Sequence, residues 1–166
     1  MPILLEITIL PGVLQNNTHL QAITEVSKWL GQNDLLQARQ RFEASAMAQD
    51  LSVRSLDNLN AMRQHFEVAK PKERALLLSA IAKDGTELTR ANLASLHIPV
   101  LVVGTDHDVI HPLAYAQTLA DVLPNAQLLT ITAKDLSKER YYSELKNGLA
   151  KFFDKVSGDI STRRDR

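Results

Sequence analysis

The sequence at residues 100–112 reads VLVVGTDHDVIHP. Its aliphatic, β-branched start predicts a strand over 97–103 that is buried on both faces, as strands of a parallel sheet are. A glycine ends the run, and the proline at 112 favours the start of a helix. In open α/β sheets, ligands and catalytic groups collect beyond the carboxyl ends of the strands. The polar loop at 105–112 is therefore the candidate functional segment.

The chain after this loop alternates between helix and strand. The patterns predict a helix over 112–123, a strand over 126–132 and a second helix over 137–153. A helix of this length between two strands predicts a right-handed βαβ unit with parallel strands. Residues 96–156 thus form a strand-helix-strand-helix core, and the polar residues 157–166 are predicted to be a flexible tail.

The front of the chain adds one more strand and a helical insertion. The apolar run at 3–10 stops at Pro11-Gly12, so residues 1–12 are predicted to be a buried strand of the core sheet. Residues 13–95 show a helical period with about four helices. Their predicted starts are Thr18 with Gln21 in a capping box, Asn33 or Asp34, Ser52 or Ser55, and Pro71.

Two details of the insertion follow from the same periodicity. The second helix is predicted to run from Leu35 through Phe42 to Met47. The fourth is predicted to bury Leu76, Leu77, Leu78 and Ile81.

The predicted fold is α/β: a partial parallel sheet of about three strands with flanking helices and a helical insertion. Three parallel strands make a poor sheet alone, because such strands need cover on both faces and usually belong to larger sheets. The strand at 3–10 is therefore expected to be exposed at its edge or to pair with something outside this chain. An amino-terminal segment and a second copy of the chain are the two candidates.

Composition excludes several classes of partner and site. The 166 residues carry 19 basic and 19 acidic side chains, so no net charge attracts nucleic acid or an anionic membrane. The absence of cysteine excludes disulfides and thiolate metal sites and suits the cytoplasm. The apolar start is too short to span a bilayer and has no basic leader. We expect no nucleic-acid or membrane partner.

The stretch IPVLVVGTDHDVIHPLAYAQTLADVLPNAQLLTIT resembles the late part of an α/β-hydrolase-fold protein. In that family a strand ends in glycine, a catalytic aspartate follows, and a proline opens a helix; LPNAQLLTI, residues 123–131, then resembles the approach to the last strand. The resemblance covers 96–154. It implies that Asp108, four residues before Pro112, is the acid, with Asp106 as the alternative, that 13–95 is a helical cap, and that no cofactor is needed.

Two departures from the family pattern concern the catalytic groups. The chain contains no G-x-S-x-G nucleophile elbow, and the loop TITAKDLSKERYY at 130–142, where the family places its histidine, has none. A triad acid only orients a histidine that activates a nucleophile, so the chain alone is predicted to be inactive. It is either part of a hydrolase for small ester or amide substrates, completed elsewhere, or a module that binds an apolar ligand or a protein without catalysis.

Other roles for the loop residues remain open at this point. Asp106 or Asp108 is also placed to cap the helix that begins near Pro112. His111, three residues after Asp108, is a candidate base. Histidine and carboxylate are metal ligands too, but adjacent loop positions point in different directions, so no metal site is predicted.

Overall fold

A computed structural model describes residues 3–5, 20–83 and 89–164, with side chains over 20–83 and 89–158. The chain divides into two compact units. The sheet unit comprises Met1–Gly12, Glu87–Asp106 and His111–Arg166, and the helical unit comprises Val13–Thr86 and His107–Ile110. The four residues 107–110 of the candidate loop thus belong with the helices.

The helical unit contains five α-helices within the residues that the structure describes. They are α1 (Gln21–Leu30), α2 (Leu35–Glu43), α3 (Ala46–Arg54), α4 (Leu56–Gln64) and α5 (Pro71–Lys83), with a 3-10 turn at His65–Glu67. Their core contains an aromatic stack: Phe42 is fully buried, and its ring centroid lies 5.4 Å from that of Phe66 and 5.6 Å from that of Trp29.

Several helix starts are confirmed and one predicted helix is wrong. Asp34 caps α2 by accepting from the Gln37 N–H at 2.9 Å, Ser55 caps α4, and α5 begins at Pro71. The predicted second helix does not reach Met47 unbroken. Ser45 accepts from the Ala48 N–H at 3.1 Å and starts a separate helix there, since a serine cap competes with helix continuation. Thr18 lies outside the described residues.

The predicted buried face of α5 is only partly correct. Leu78 is 4% exposed and packs inward with Ala75, whereas Leu76 is 74%, Leu77 49% and Ile81 39% exposed. Successive helical residues turn by about 100°, so a run of three leucines cannot share one face. Ala75 and Leu78 occupy the inner face, and the exposed leucines form an apolar outer surface.

The sheet unit is built on three parallel strands, which confirms the α/β fold class. They are β1 (Ile3–Leu5), β2 (Val100–Gly104) and β3 (Ala126–Thr130), in the order β1-β2-β3. Leu4 pairs with Leu101, and Val102 pairs with Leu128. The rest of the predicted first strand, residues 6–10, lies outside the described residues.

Helices cover both faces of the central strand β2. Val100 and Val102 pack with Leu93, Leu119 and Leu123, which come from α6 (Arg90–Ala94), α7 (Leu113–Val122) and the residue after α7. On the other face, Leu101 packs with Phe152 and Val156 of α8 (Lys138–Arg164). This two-sided burial explains why the strand sequence is continuously apolar.

The last helix is longer than predicted. α8 continues to Arg164, so residues 157–164, predicted as part of the tail, are helical. The short helix α6 was not predicted; Thr89 and Asn92 form its capping box. No helix in the described ranges is both long enough and apolar enough to cross a membrane.

Two glycines permit close contacts in the sheet unit. A Cβ on Gly104, at the end of β2, would lie 2.8 Å from Leu113 Cδ1 and 3.0 Å from Ala116 Cβ. A Cβ on Gly148 would overlap the Leu129 side chain, so α8 approaches β3 closely there. Gly158, on the same helix, has no atom within 4 Å of that position.

We predict that Gly148→Ala destabilises the protein relative to Gly158→Ala. Both changes gain the same helix propensity, so their difference isolates the overlap with Leu129, about 1–3 kcal/mol. Urea unfolding followed by circular dichroism measures both free energies. Equal unfolding free energies for the two variants would contradict the close contact.

Candidate functional site

The predicted location of the site, beyond the carboxyl ends of the strands, is where polar residues collect. Asp106 follows the last residue of β2 by two positions and is exposed. The Ile131 N–H, just past β3, donates to the Gly104 carbonyl at 3.0 Å, which keeps the two strand ends side by side. A pocket of about 430 Å³ opens there within the sheet unit, lined by Asp106, Thr130, Ile131, Thr132, Leu136, Ser137, Arg140 and Glu144.

Glu144 of α8 organises one wall of this pocket. Its carboxylate accepts from the Thr132 backbone N–H at 2.6 Å and from the Thr132 hydroxyl at 3.0 Å. Arg140, one turn earlier, donates from Nη2 to the same carboxylate at 3.1 Å. The Thr132 backbone N–H is the largest cause that lowers the pKa of the Glu144 carboxyl, and the Thr132 hydroxyl and Arg140 act in the same direction.

Glu144 was not predicted as a site residue. Its spacing of four from Arg140 is a visible signal for an ion pair on one helix face. Its partner Thr132, however, lies twelve residues away across a loop, and no periodicity predicts that contact.

The lowered pKa of Glu144 predicts a pH-dependent contribution to stability. Because the folded-state pKa lies below the ordinary value of 4.5, the stabilisation is complete above that value and disappears as the pH falls through the lowered pKa. Glu144→Gln should therefore lower Tm at pH 7 and have little effect near pH 2. Thermal melts across this range measure it, with Asp154→Asn, an exposed site on the same helix, as the control. A Glu144→Gln effect of equal size at both pH values would contradict the prediction.

The pocket can bind polar groups, but its lining includes no imidazole. Two carboxylates, a guanidinium and the hydroxyls of Thr130, Thr132 and Ser137 offer donors and acceptors. The Ser137 hydroxyl accepts from the Arg140 N–H at 3.2 Å, and no imidazole is present among the lining residues to form a serine–histidine pair with it. The lining residues alone therefore do not make up a serine–histidine–acid triad.

Asp108 occupies a different environment from Asp106. It is half-buried within the helical unit, and its Oδ1 accepts from the Ile110 N–H at 2.9 Å. This bond from an aspartate to the amide two residues later is an Asx turn. The predicted alternative, that an aspartate caps α7, is wrong: the N-cap residue is Pro112, and no side-chain bond is formed at that cap.

A buried asparagine of α4 holds the same turn. The Asn58 Oδ1 accepts from the Val109 N–H at 2.7 Å and from the Ile110 N–H at 3.3 Å. Asn58 is 7% exposed and Ile110 is 4% exposed. Asn58 was not predicted, because a contact between residues 51 positions apart leaves no sequence signal.

The histidines among the described residues are divided between the two units. His111 is half-buried in the sheet unit, directly before Pro112, while His107 belongs to the helical unit. His65 is half-buried in the helical unit, where burial first and the charge of Arg74 second lower its pKa. No group of three or more histidine, aspartate or glutamate side chains within the described residues is arranged to hold a metal ion.

No protein-family model matches this chain. It is similar to the crystal structure of an alpha/beta hydrolase from Sphaerobacter thermophilus DSM 20745, with 21% sequence identity and a TM-score of 0.44. That match covers 92% of this chain and 57% of the hydrolase chain.

Proposed function

We propose that this chain is the cap and acid-bearing part of an α/β-hydrolase-type protein that acts on small ester or amide substrates. The observation that supports it is a carboxylate, Asp108, held by a hydrogen-bonded turn in the loop that leaves the central parallel strand β2. In such folds this loop carries the acid of the triad. A cytoplasmic location forms part of the same proposal.

The proposed role of Asp108 is to orient an imidazole and to stabilise its charged form. The Ile110 N–H donates to one oxygen of the Asp108 carboxylate, and this bond restricts the orientation of the side chain. Asp106 is the alternative acid, exposed in the pocket of the sheet unit. His111 is the candidate base from within this chain.

The nucleophile in this proposal comes from outside the 166 residues, since the sequence has no G-x-S-x-G. The outer side of β1 supports a place for a further strand, because β1 is at one end of the described sheet. That strand is proposed to come from a nucleophile-bearing segment. A second copy of the chain pairing through residues 3–10 is the alternative partner.

We predict that the chain alone does not hydrolyse p-nitrophenyl acetate or butyrate, and that a G-x-S-x-G segment encoded upstream restores turnover when both are expressed together. In the restored protein, Asp108→Asn should lower kcat by about 10,000-fold, the loss seen when a triad acid becomes an amide. The variant Asp106→Asn tests whether Asp106 is the acid instead, and His111→Gln tests whether His111 is the base.

The turnover of these variants distinguishes the roles of Asp108, Asp106 and His111. Loss of turnover in Asp108→Asn with retention in Asp106→Asn supports Asp108 as the acid. The reverse pattern assigns the acid to Asp106. If His111→Gln leaves turnover unchanged, the base comes from the other segment. Absence of any upstream or separately encoded elbow segment would reject the divided-enzyme form.

A non-catalytic binding module is the second candidate. The exposed apolar surface formed by Leu76, Leu77 and Ile81 of α5 favours it, because contiguous apolar side chains on a surface often contact a ligand or another protein. The same esterase assay discriminates between the candidates. If the protein hydrolyses the ester and Asp108→Asn abolishes that turnover, the non-catalytic role is rejected.

A further inference from the structure

Asn58 differs from the other buried polar residues that the structure describes. These are Ser27, Ser55 and Asn58. Ser27 donates to the carbonyl of Thr24 in its own helix, and Ser55 caps its own helix by accepting from the Asn58 N–H. The Asn58 side chain instead bonds a segment 51 residues away.

The two N–H groups that donate to Asn58 Oδ1 lie outside the helices and strands. Val109 and Ile110 lie in a loop, so no strand ladder satisfies their N–H groups. A buried N–H without an acceptor costs about 1–3 kcal/mol. Asn58 satisfies the Val109 N–H at 2.7 Å, while the Ile110 N–H is shared between Asn58 Oδ1 at 3.3 Å and Asp108 Oδ1 at 2.9 Å.

We propose that Asn58 is the positioning residue for Asp108: it holds the backbone of the acid turn against α4 and so fixes where the Asp108 carboxylate lies within the helical unit. The consequence for hydrolysis rests on the proposed function, but the positioning itself does not. Under this proposal a residue of α4 in the helical unit supports the backbone that carries the acid.

The absence of charge on the side chain at position 58 matters for Asp108. Asn58 Oδ1 and Asp108 Oδ1 both accept from the Ile110 N–H, so they lie close to each other. A carboxylate at position 58 would place a second negative charge beside Asp108 and raise its pKa. Asparagine provides the same acceptor oxygen without that charge.

The test uses the full chain and two variants of Asn58, with Asn60→Ala as the matched control. Asn60 is exposed on the same helix and accepts from Arg63 Nη1 at 3.1 Å. Hydrogen exchange by NMR should show that Asn58→Ala accelerates exchange of the Val109 amide by about tenfold or more relative to the amides of α1 and α5. Asn60→Ala should leave it unchanged.

Asn58→Asp keeps the acceptor and tests positioning directly. It should restore protection of the Val109 amide and raise the pKa of Asp108, measured from its carboxyl 13C shift. Unchanged Val109 exchange in Asn58→Ala would overturn the proposal. So would acceleration shared equally by all amides of the helical unit, or an unchanged pKa of Asp108 in Asn58→Asp.

None of these measurements requires a substrate. Failure of the divided hydrolase to turn over would therefore leave the Asn58 result intact. Equally, loss of the predicted Val109 protection would leave the esterase experiment intact.

Discussion

The burial of β2 on both faces, between two parallel neighbours, is the constraint on which the sheet unit depends. Val100, Leu101 and Val102 are at most 3% exposed, and helices from opposite sides pack on alternate residues. A strand enclosed in this way presents its polar residues only where it ends. Gly104 ends it under α7, and the acidic loop begins there.

The acidic side chains Asp106, Asp108 and Glu144 have different surroundings. Asp106 is exposed at the pocket, and Glu144 is committed to Thr132 and Arg140. Asp108 lies in a turn in which the Val109 and Ile110 N–H groups donate hydrogen bonds to the Asn58 side chain. Because Glu144 is bonded to Thr132 and Arg140, it has a structural role here, and the proposed chemistry is assigned to the loop residues Asp108 and Asp106.

The sequence predicted those features that depend on local pattern. The apolar run at 100–103 and the turn residues around it were sufficient to predict the central strand. The helix starts were predicted from the capping residues Asp34 and Ser55 and from Pro71, the first residue of α5. Leu76, Leu77 and Ile81 were wrongly predicted to be buried, because a run of three leucines gives no periodicity that indicates which face of α5 points inward. Glu144 and Asn58 were missed because each bonds a backbone amide that only the folded chain brings near.

The parallel pairing of β2 is tested most directly by isotope-edited NMR of the intact chain. The predicted result is a set of backbone NOEs in parallel register, linking Val102 with Leu128 and Leu4 with Leu101. Antiparallel NOEs, or a β2 paired on one side in another register, would contradict the central claim, since the acid loop would then leave the sheet elsewhere.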